Sequence, residues 1–149
     1  MKILLVEDDE IKIKNLEAFL SNKELDYDIT LDIKRSYQSG LNAILTNEFD
    51  LILLDMSMHN FDKTLNETGG DYMPFAGEDI LREMSWNEIP TKTVIVTQYD
   101  LIGHKSLTEL KESWAVNFAE NYLGTVFYRD NETNWKNELK TFIAEHNSK

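Results

Sequence analysis

Three aspartates and a threonine are the residues through which this sequence could do chemistry. Asp55 closes the stretch Phe49-Asp50-Leu51-Ile52-Leu53-Leu54-Asp55-Met56, and Asp8 and Asp9 come just after the run Ile3-Leu4-Leu5-Val6. Thr97 ends a third stretch, Thr93-Val94-Ile95-Val96-Thr97. A carboxylate held at the end of a buried strand is a positioned nucleophile, able to carry an acyl phosphate. Three carboxylates brought together repel one another unless a cation stands between them. A hard divalent ion with oxygen ligands, Mg2+ by preference, answers that need. Phosphoryl transfer asks mainly for positioning and charge neutralisation, and the Thr97 hydroxyl could donate to a phosphoryl oxygen. Taken singly, Asp8 and Asp9 suit a helix N-terminus just as well, where acids complement the exposed amides.

The elements that must position these groups are legible in the apolar pattern. Leu51 to Leu54 is four consecutive apolar residues, too short for a helix, and reads as a strand buried on both faces in the middle of a parallel sheet. In such sheets ligands sit beyond the carboxyl ends of the strands, where Asp55 stands. Ile3 to Val6 reads as another strand, and Glu7 to Glu10 opens a helix with Leu16, Phe19 and Leu20 on one side and Lys12, Lys14 and Glu17 outward. Tyr27 to Lys34 alternates apolar and polar residues, as an edge strand does. Ser36 is placed to cap a helix with Tyr37, Leu41, Ile44 and Leu45 at i, i+4, i+7 and i+8.

From 56 to 77 there is no periodicity, and Gly69, Gly70, Pro74 and Gly77 break the chain. Connections of that length serve as lids, binding loops or mobile segments. A helix resumes with Glu78 and Asp79 in its first turn and Ile80, Leu81 and Met84 inward. The strand Thr93 to Thr97 follows, then a turn at Gly103 and the capping box Ser106-Leu107-Thr108-Glu109. The helix it opens aligns Leu107, Leu110, Trp114 and Phe118, with Gly124 as its expected stop. Thr125 to Tyr128 is the last strand, and Asn131 is placed to cap a final helix carrying Trp135, Leu139, Phe142 and Ile143. Strand and helix thus alternate five times, which predicts an α/β fold with right-handed crossovers and helices on both faces of a parallel sheet.

Composition narrows the function classes. The 149 residues suit one domain with a real core. A formal net charge of -12 argues against non-specific binding to nucleic acid or anionic membranes and leaves a basic protein partner open. With no cysteine, neither a disulfide nor a thiolate metal site can form. The first apolar run is far too short for a signal peptide and none approaches transmembrane length, so a cytoplasmic protein is expected.

Lys2-Ile-Leu-Leu-Val-Glu-Asp-Asp-Glu10, Phe49-Asp-Leu-Ile-Leu-Leu-Asp-Met56 and Val94-Ile-Val-Thr97 together resemble the receiver domains of two-component response regulators. The first two motifs are specific as a pair, and the likeness spans 1–149 as one receiver-like domain with an insertion over about 56–77. It implies a flavodoxin-like (βα)5 sheet in the order 2-1-3-4-5, in which the first and third strands are neighbours and Asp8, Asp9 and Asp55 converge. It implies that Asp55 accepts phosphate from a histidine kinase or phosphotransfer protein. It further implies that Asp8, Asp9, Asp55 and the Ser57 backbone carbonyl hold Mg2+. Thr97 would be the switch hydroxyl, and Tyr122 or Tyr128 the aromatic that swings with it. Such a domain signals through a surface change and is not an enzyme beyond its own phosphorylation and dephosphorylation. With no output domain after the last helix, it would act by binding a downstream protein, and a homodimer is allowed.

The departures from the family pattern are equally specific. Receivers carry a lysine at the end of the fifth strand, and here none stands there. One alignment puts Thr125 in its place; another brings Arg129 near. Met-Pro after the acceptor is replaced by Ser57-Met58-His59-Asn60, and Gln98 follows Thr97 where a small residue is usual. A second reading follows: a degenerate pseudo-receiver acting as a phosphorylation-independent interaction module. The insertion, starting directly after the acceptor, would shield it. A haloacid-dehalogenase-type phosphatase needs an acid where Ser57 stands, and a flavodoxin needs a hydroxyl-rich loop where Glu7 to Glu10 would repel phosphate.

Overall fold

The computed structural model describes residues 1–22, 25 and 27–147. Five strands form one parallel sheet: β1 (Lys2–Val6), β2 (Thr30–Lys34), β3 (Leu51–Leu54), β6 (Thr93–Thr97) and β9 (Tyr122–Phe127), in the spatial order β2-β1-β3-β6-β9. The helices between and after them are α1 (Glu10–Leu20), α2 (Tyr37–Thr46), α3 (Ala76–Trp86), α4 (Leu107–Asn117) and α5 (Asn134–Asn147). This is the 2-1-3-4-5 arrangement of a flavodoxin-like sheet, with β2 at one edge.

The strand sequences explain the layers. Side chains alternate across a strand, so Leu4 and Val6 of β1, Ile52 and Leu54 of β3 and Ile95 of β6 enter one core, with Ala43, Ile80, Leu81, Met84, Leu110 and Trp114 of α2, α3 and α4. Ile3, Leu5, Leu51, Leu53, Val94 and Val96 enter the other, against Ile13, Leu16 and Leu20 of α1 and Trp135, Leu139 and Ile143 of α5. All four residues of β3 are fully buried; each contributes about 1.5–3 kcal/mol on leaving water. That is the central strand expected from its unbroken apolar run, and it fixes where Asp55 emerges.

Several local expectations are corrected. Lys12 does not point outward; its side chain is buried to 1% exposure. Leu45 faces solvent, and Gly40, Ala43 and Ile44 form the inward face of α2. Gly124 does not stop α4, which ends at Asn117; it lies inside β9, where a Cβ would meet the tip of the Phe142 ring at 2.5 Å. α5 begins at Asn134, beyond the reach of a cap at Asn131. The stretch after β3 has structure of its own: β4 (Met58–His59) pairs antiparallel with β5 (Tyr72–Met73). It is fastened to α2, where Gln38 N donates to Asn60 O (2.9 Å) and Ser39 Oγ to Asp62 Oδ1 (2.9 Å). A second two-pair ladder, β7 (Leu101–Ile102) with β8 (Lys105–Ser106), turns at Gly103 and leads into α4, capped by Ser106.

Gly77, in the first turn of α3, packs directly on the backbone beyond β3, its N donating to Met56 O (2.8 Å). A Cβ there would stand 2.5 Å from Asp55 O and 3.0 Å from Met56 Cα, both backbone atoms that cannot swing aside. Gly77→Ala is therefore expected to lower stability by roughly 1–3 kcal/mol, read as a fall in Tm. Gly124→Ala, which meets only the end of a side chain, is expected to cost less.

Candidate functional site

The site is assembled at the carboxyl ends of β1, β3 and β6. Residues 6 and 54 are paired in register, and Asp55 N donates to Val6 O (3.0 Å), so the residues just beyond both strands are side by side. Glu7 and Asp55 are buried and Asp8 is partly so. Each of the three offers a carboxylate oxygen, and these oxygens lie within 4.8 Å of one another. The acids that meet are thus Glu7, Asp8 and Asp55.

Asp9 is turned to another task. Its side chain caps α1, with Oδ1 accepting from Ile11 N (2.9 Å) and Lys12 N (3.3 Å). Glu7, absent from the acids singled out in the sequence, stands in the pocket instead. Its Oε2 accepts from Asp8 N (3.0 Å) and Asp9 N (3.2 Å).

The larger surprise is Lys12. Its ammonium forms an ion pair with Glu7 Oε1, lies 3.3 Å from Asp55 Oδ1 and donates to Val96 O at 2.7 Å. Glu7 Oε1 has the ammonium as its partner and no hydrogen bond of regular geometry. Asp55 Oδ1 also accepts from Met56 N at 2.8 Å. Burial works against the charge on Lys12, but Asp55 and then Glu7 outweigh it and hold the ammonium above its ordinary range. Burial also pushes the Glu7 carboxyl well above the usual carboxylate range, Asp55 adding to the effect and Lys12 opposing it. The pocket therefore sets one buried ammonium against the carboxyl groups of Glu7 and Asp55, with burial favouring the uncharged form of Glu7.

Lys12 was detectable by helical phase. It precedes Leu16 by four residues and Leu20 by eight, and both are buried on the sheet side of α1. A lysine at an inward position of an amphipathic helix signals a buried partner.

The remaining residues are placed as follows. Thr97 is fully buried, and its Oγ1 accepts from Tyr99 N at 3.3 Å. The Ser57 hydroxyl donates to Pro74 O at 2.8 Å. His59 touches Asp8 Oδ2 through its N (3.4 Å) and Nδ1 (3.3 Å), and its ring meets Tyr72 edge to face, which brings the β4–β5 ladder over the acidic rim. At the end of β9, Phe127 pairs in register with Thr97, and Tyr128 N donates to Thr97 O. The residue that takes the strand-end place is therefore Tyr128, rather than Thr125 or Arg129. Tyr128 is fully buried, with its ring 5.6 Å from Lys12 Nζ and its hydroxyl accepting from Asn15 Nδ2 (2.7 Å); burial and Asp130 push that hydroxyl up to about 12. Arg129 is exposed, its guanidinium over the Phe127 ring. Thr125 bonds the Tyr122 hydroxyl (2.6 Å), and Tyr122 packs edge to face on Trp114.

No protein-family model matches the chain. The Detocs response regulatory protein DtcB of Enterobacter cloacae is 30% identical over 97% of this chain and 99% of its own length. The chain belongs to the receiver family of response regulators. Among solved structures, the receiver domain of the Francisella response regulator 1452 aligns over 99% of this chain and 96% of that one, with a TM-score of 0.63 and 21% identity. The response regulator TrrA of Thermotoga maritima, solved in complex with Mg2+-BeF, aligns over 97% of both chains with a TM-score of 0.56 and 15% identity. Receivers are signalling domains rather than classical enzymes, and the acidic cluster of this one is compatible with a divalent cation. Among its described residues no helix is long and apolar enough to cross a membrane.

The Asp9 cap makes a prediction independent of any ligand. Asp9→Ala is expected to lose about 1 kcal/mol of stability, and Asp9→Asn, which keeps a capping oxygen, much less. Urea denaturation of the two variants checks it.

Proposed function

We propose that this receiver takes a phosphoryl group on Asp55 with Mg2+ as cofactor and passes the change to a protein partner as a surface rearrangement. The single observation carrying this is the meeting of Glu7, Asp8 and Asp55 oxygens at the end of the buried central strand. An all-oxygen donor set of that charge suits a hard divalent ion. Glu7, Asp8 and Asp55 would hold it, with the Ser57 carbonyl as a further oxygen. Bound there, the ion would neutralise the oxygens of an incoming phosphoryl group.

The chain's own residues do the rest. Asp55 Oδ1 is held by Met56 N and Lys12, so Oδ2 is the oxygen that attacks phosphorus. The bond from phosphorus to the donor's nitrogen or oxygen breaks, and the leaving group keeps the electron pair. A phosphorylated histidine of a kinase or phosphotransfer protein is the donor chemistry that this reading implies. Thr97, the last residue of the neighbouring strand β6, supplies a hydroxyl for the phosphoryl oxygens. Its hydrogen bond from Tyr99 and the backbone bond to Tyr128 give the switch a route to the β6–β9 surface.

One observation favours the second reading, a phosphorylation-independent interaction module. Lys12 already pairs with both Glu7 and Asp55, which satisfies much of the pocket without metal or phosphate.

Acetyl phosphate with Mg2+ separates the two. The proposal expects a gain of one phosphoryl mass on the wild type, abolished in Asp55→Asn; an unchanged mass favours the module. For the metal, Asp8→Asn is expected to weaken Mg2+ binding about tenfold or more as one ligand charge is lost, and Asp9→Asn to leave it nearly unchanged. Calorimetric titration reads both.

A further inference from the structure

We infer that Lys12, from the first turn of α1, supplies the active-site ammonium that other receivers take from the end of their last strand. The inference rests on the proposed phosphorylation of Asp55 and assigns a catalytic residue to it.

Three features of the site support it. First, among the described residues the one ion pair that Asp55 makes is with Lys12, through the same Oδ1 that Met56 N holds. Second, the ammonium is fixed from three directions, by Glu7, Asp55 and Val96 O, at a side chain 1% exposed. A solvated surface lysine has no reason to adopt that arrangement. Third, the strand-end position itself holds Tyr128, a buried aromatic whose ring lies beneath the Lys12 ammonium at 5.6 Å and whose hydroxyl is tied to Asn15, also on α1. The place from which a strand-end lysine would reach inward is filled by a ring that supports a lysine arriving from the helix.

The chemistry follows from charge. Glu7, Asp8 and Asp55 together carry up to three negative charges, and transfer of a phosphoryl group adds another at Asp55. Before the transfer, the ammonium in contact with Oδ1 offsets the charge on the Asp55 carboxylate. Afterwards it hydrogen-bonds the same oxygen, now the carbonyl of the acyl phosphate. Because Lys12 is anchored on Val96 O and Glu7 in advance, it need not swing to the phosphoryl group. It stands where it is required before the reaction starts.

The test compares Lys12→Met with the double variant Lys12→Met/Tyr128→Lys, which returns the ammonium to the strand end. Phosphoryl incorporation from acetyl phosphate is followed by mass, and Mg2+ affinity by calorimetry. Lys12→Met is expected to incorporate at least tenfold more slowly while binding Mg2+ no more weakly than wild type, since a competing cation has gone. A merely structural loss would weaken both. The double variant is expected to recover to within a few-fold of wild type. Incorporation by Lys12→Met at the wild-type rate overturns the inference and leaves the Asp55 reading intact.

A second measurement needs no variant. In wild type, the Lys12 side-chain Nζ resonance is expected to move on adding Mg2+ and beryllofluoride, while that of exposed Lys14 stays in place. Shifts at the amides around Asp55 with none at Lys12 overturn the inference alone. No shift at either place removes the phosphorylation reading and the inference with it.

Discussion

A single buried ammonium sets the terms for the rest of this molecule. Lys12 sits between Glu7, Asp55 and the Val96 carbonyl, so it bridges β6 and the residues beyond β1 and β3 at their carboxyl ends. Placing a charge in an apolar interior is costly unless it is paired and hydrogen-bonded. Here the pairing partners are themselves acids that would otherwise repel. The lysine and the acids each make the burial of the other tolerable, and the burial in turn demands close-packed walls.

Those walls are supplied by the two cores. Residues of β3 alternate between them, and every one is fully buried. The strand therefore has little freedom to shift, and Gly77 packs so near the Asp55 carbonyl that a side chain there would collide with it. α1 contributes twice: its inward face packs Ile13, Leu16 and Leu20 on the sheet, and its first turn delivers Lys12. The cap at Asp9 fixes where that turn begins. An acid adjacent to the pocket thus serves the site indirectly, by setting the phase of the helix that brings in the ammonium.

The periphery follows the same logic of covering charge. His59 reaches Asp8 from the β4–β5 ladder, and the ladder is fastened to α2 rather than left open. On the far side the Tyr128 ring lies under the Lys12 ammonium, joined to Asn15 and packed at a tilt against Trp135. In a phosphate-accepting receiver these contacts would govern access to Asp55 from the rim and the rigidity beneath it.

The sequence by itself determined the sheet, because strand runs such as Leu51 to Leu54 are short, unbroken and apolar, and burial on both faces leaves them no other place. It also determined that Asp55 lies at a strand's carboxyl end. The resemblance of three short motifs supplied the strand order. What only the tertiary structure decided was which charged neighbour faces inward. Glu7, Asp8 and Asp9 are consecutive acids, and composition cannot distinguish the two that line a pocket from the one that caps a helix; the backbone's exit angle from β1 does that. Lys12 shares the helical phase of Leu16 and Leu20, so periodicity alone places it inward, but which carboxylates meet it there depends on the folded sheet. The carboxylates come from residues 5 positions before it and 43 after it in the chain, and only the folded sheet brings them to the same place.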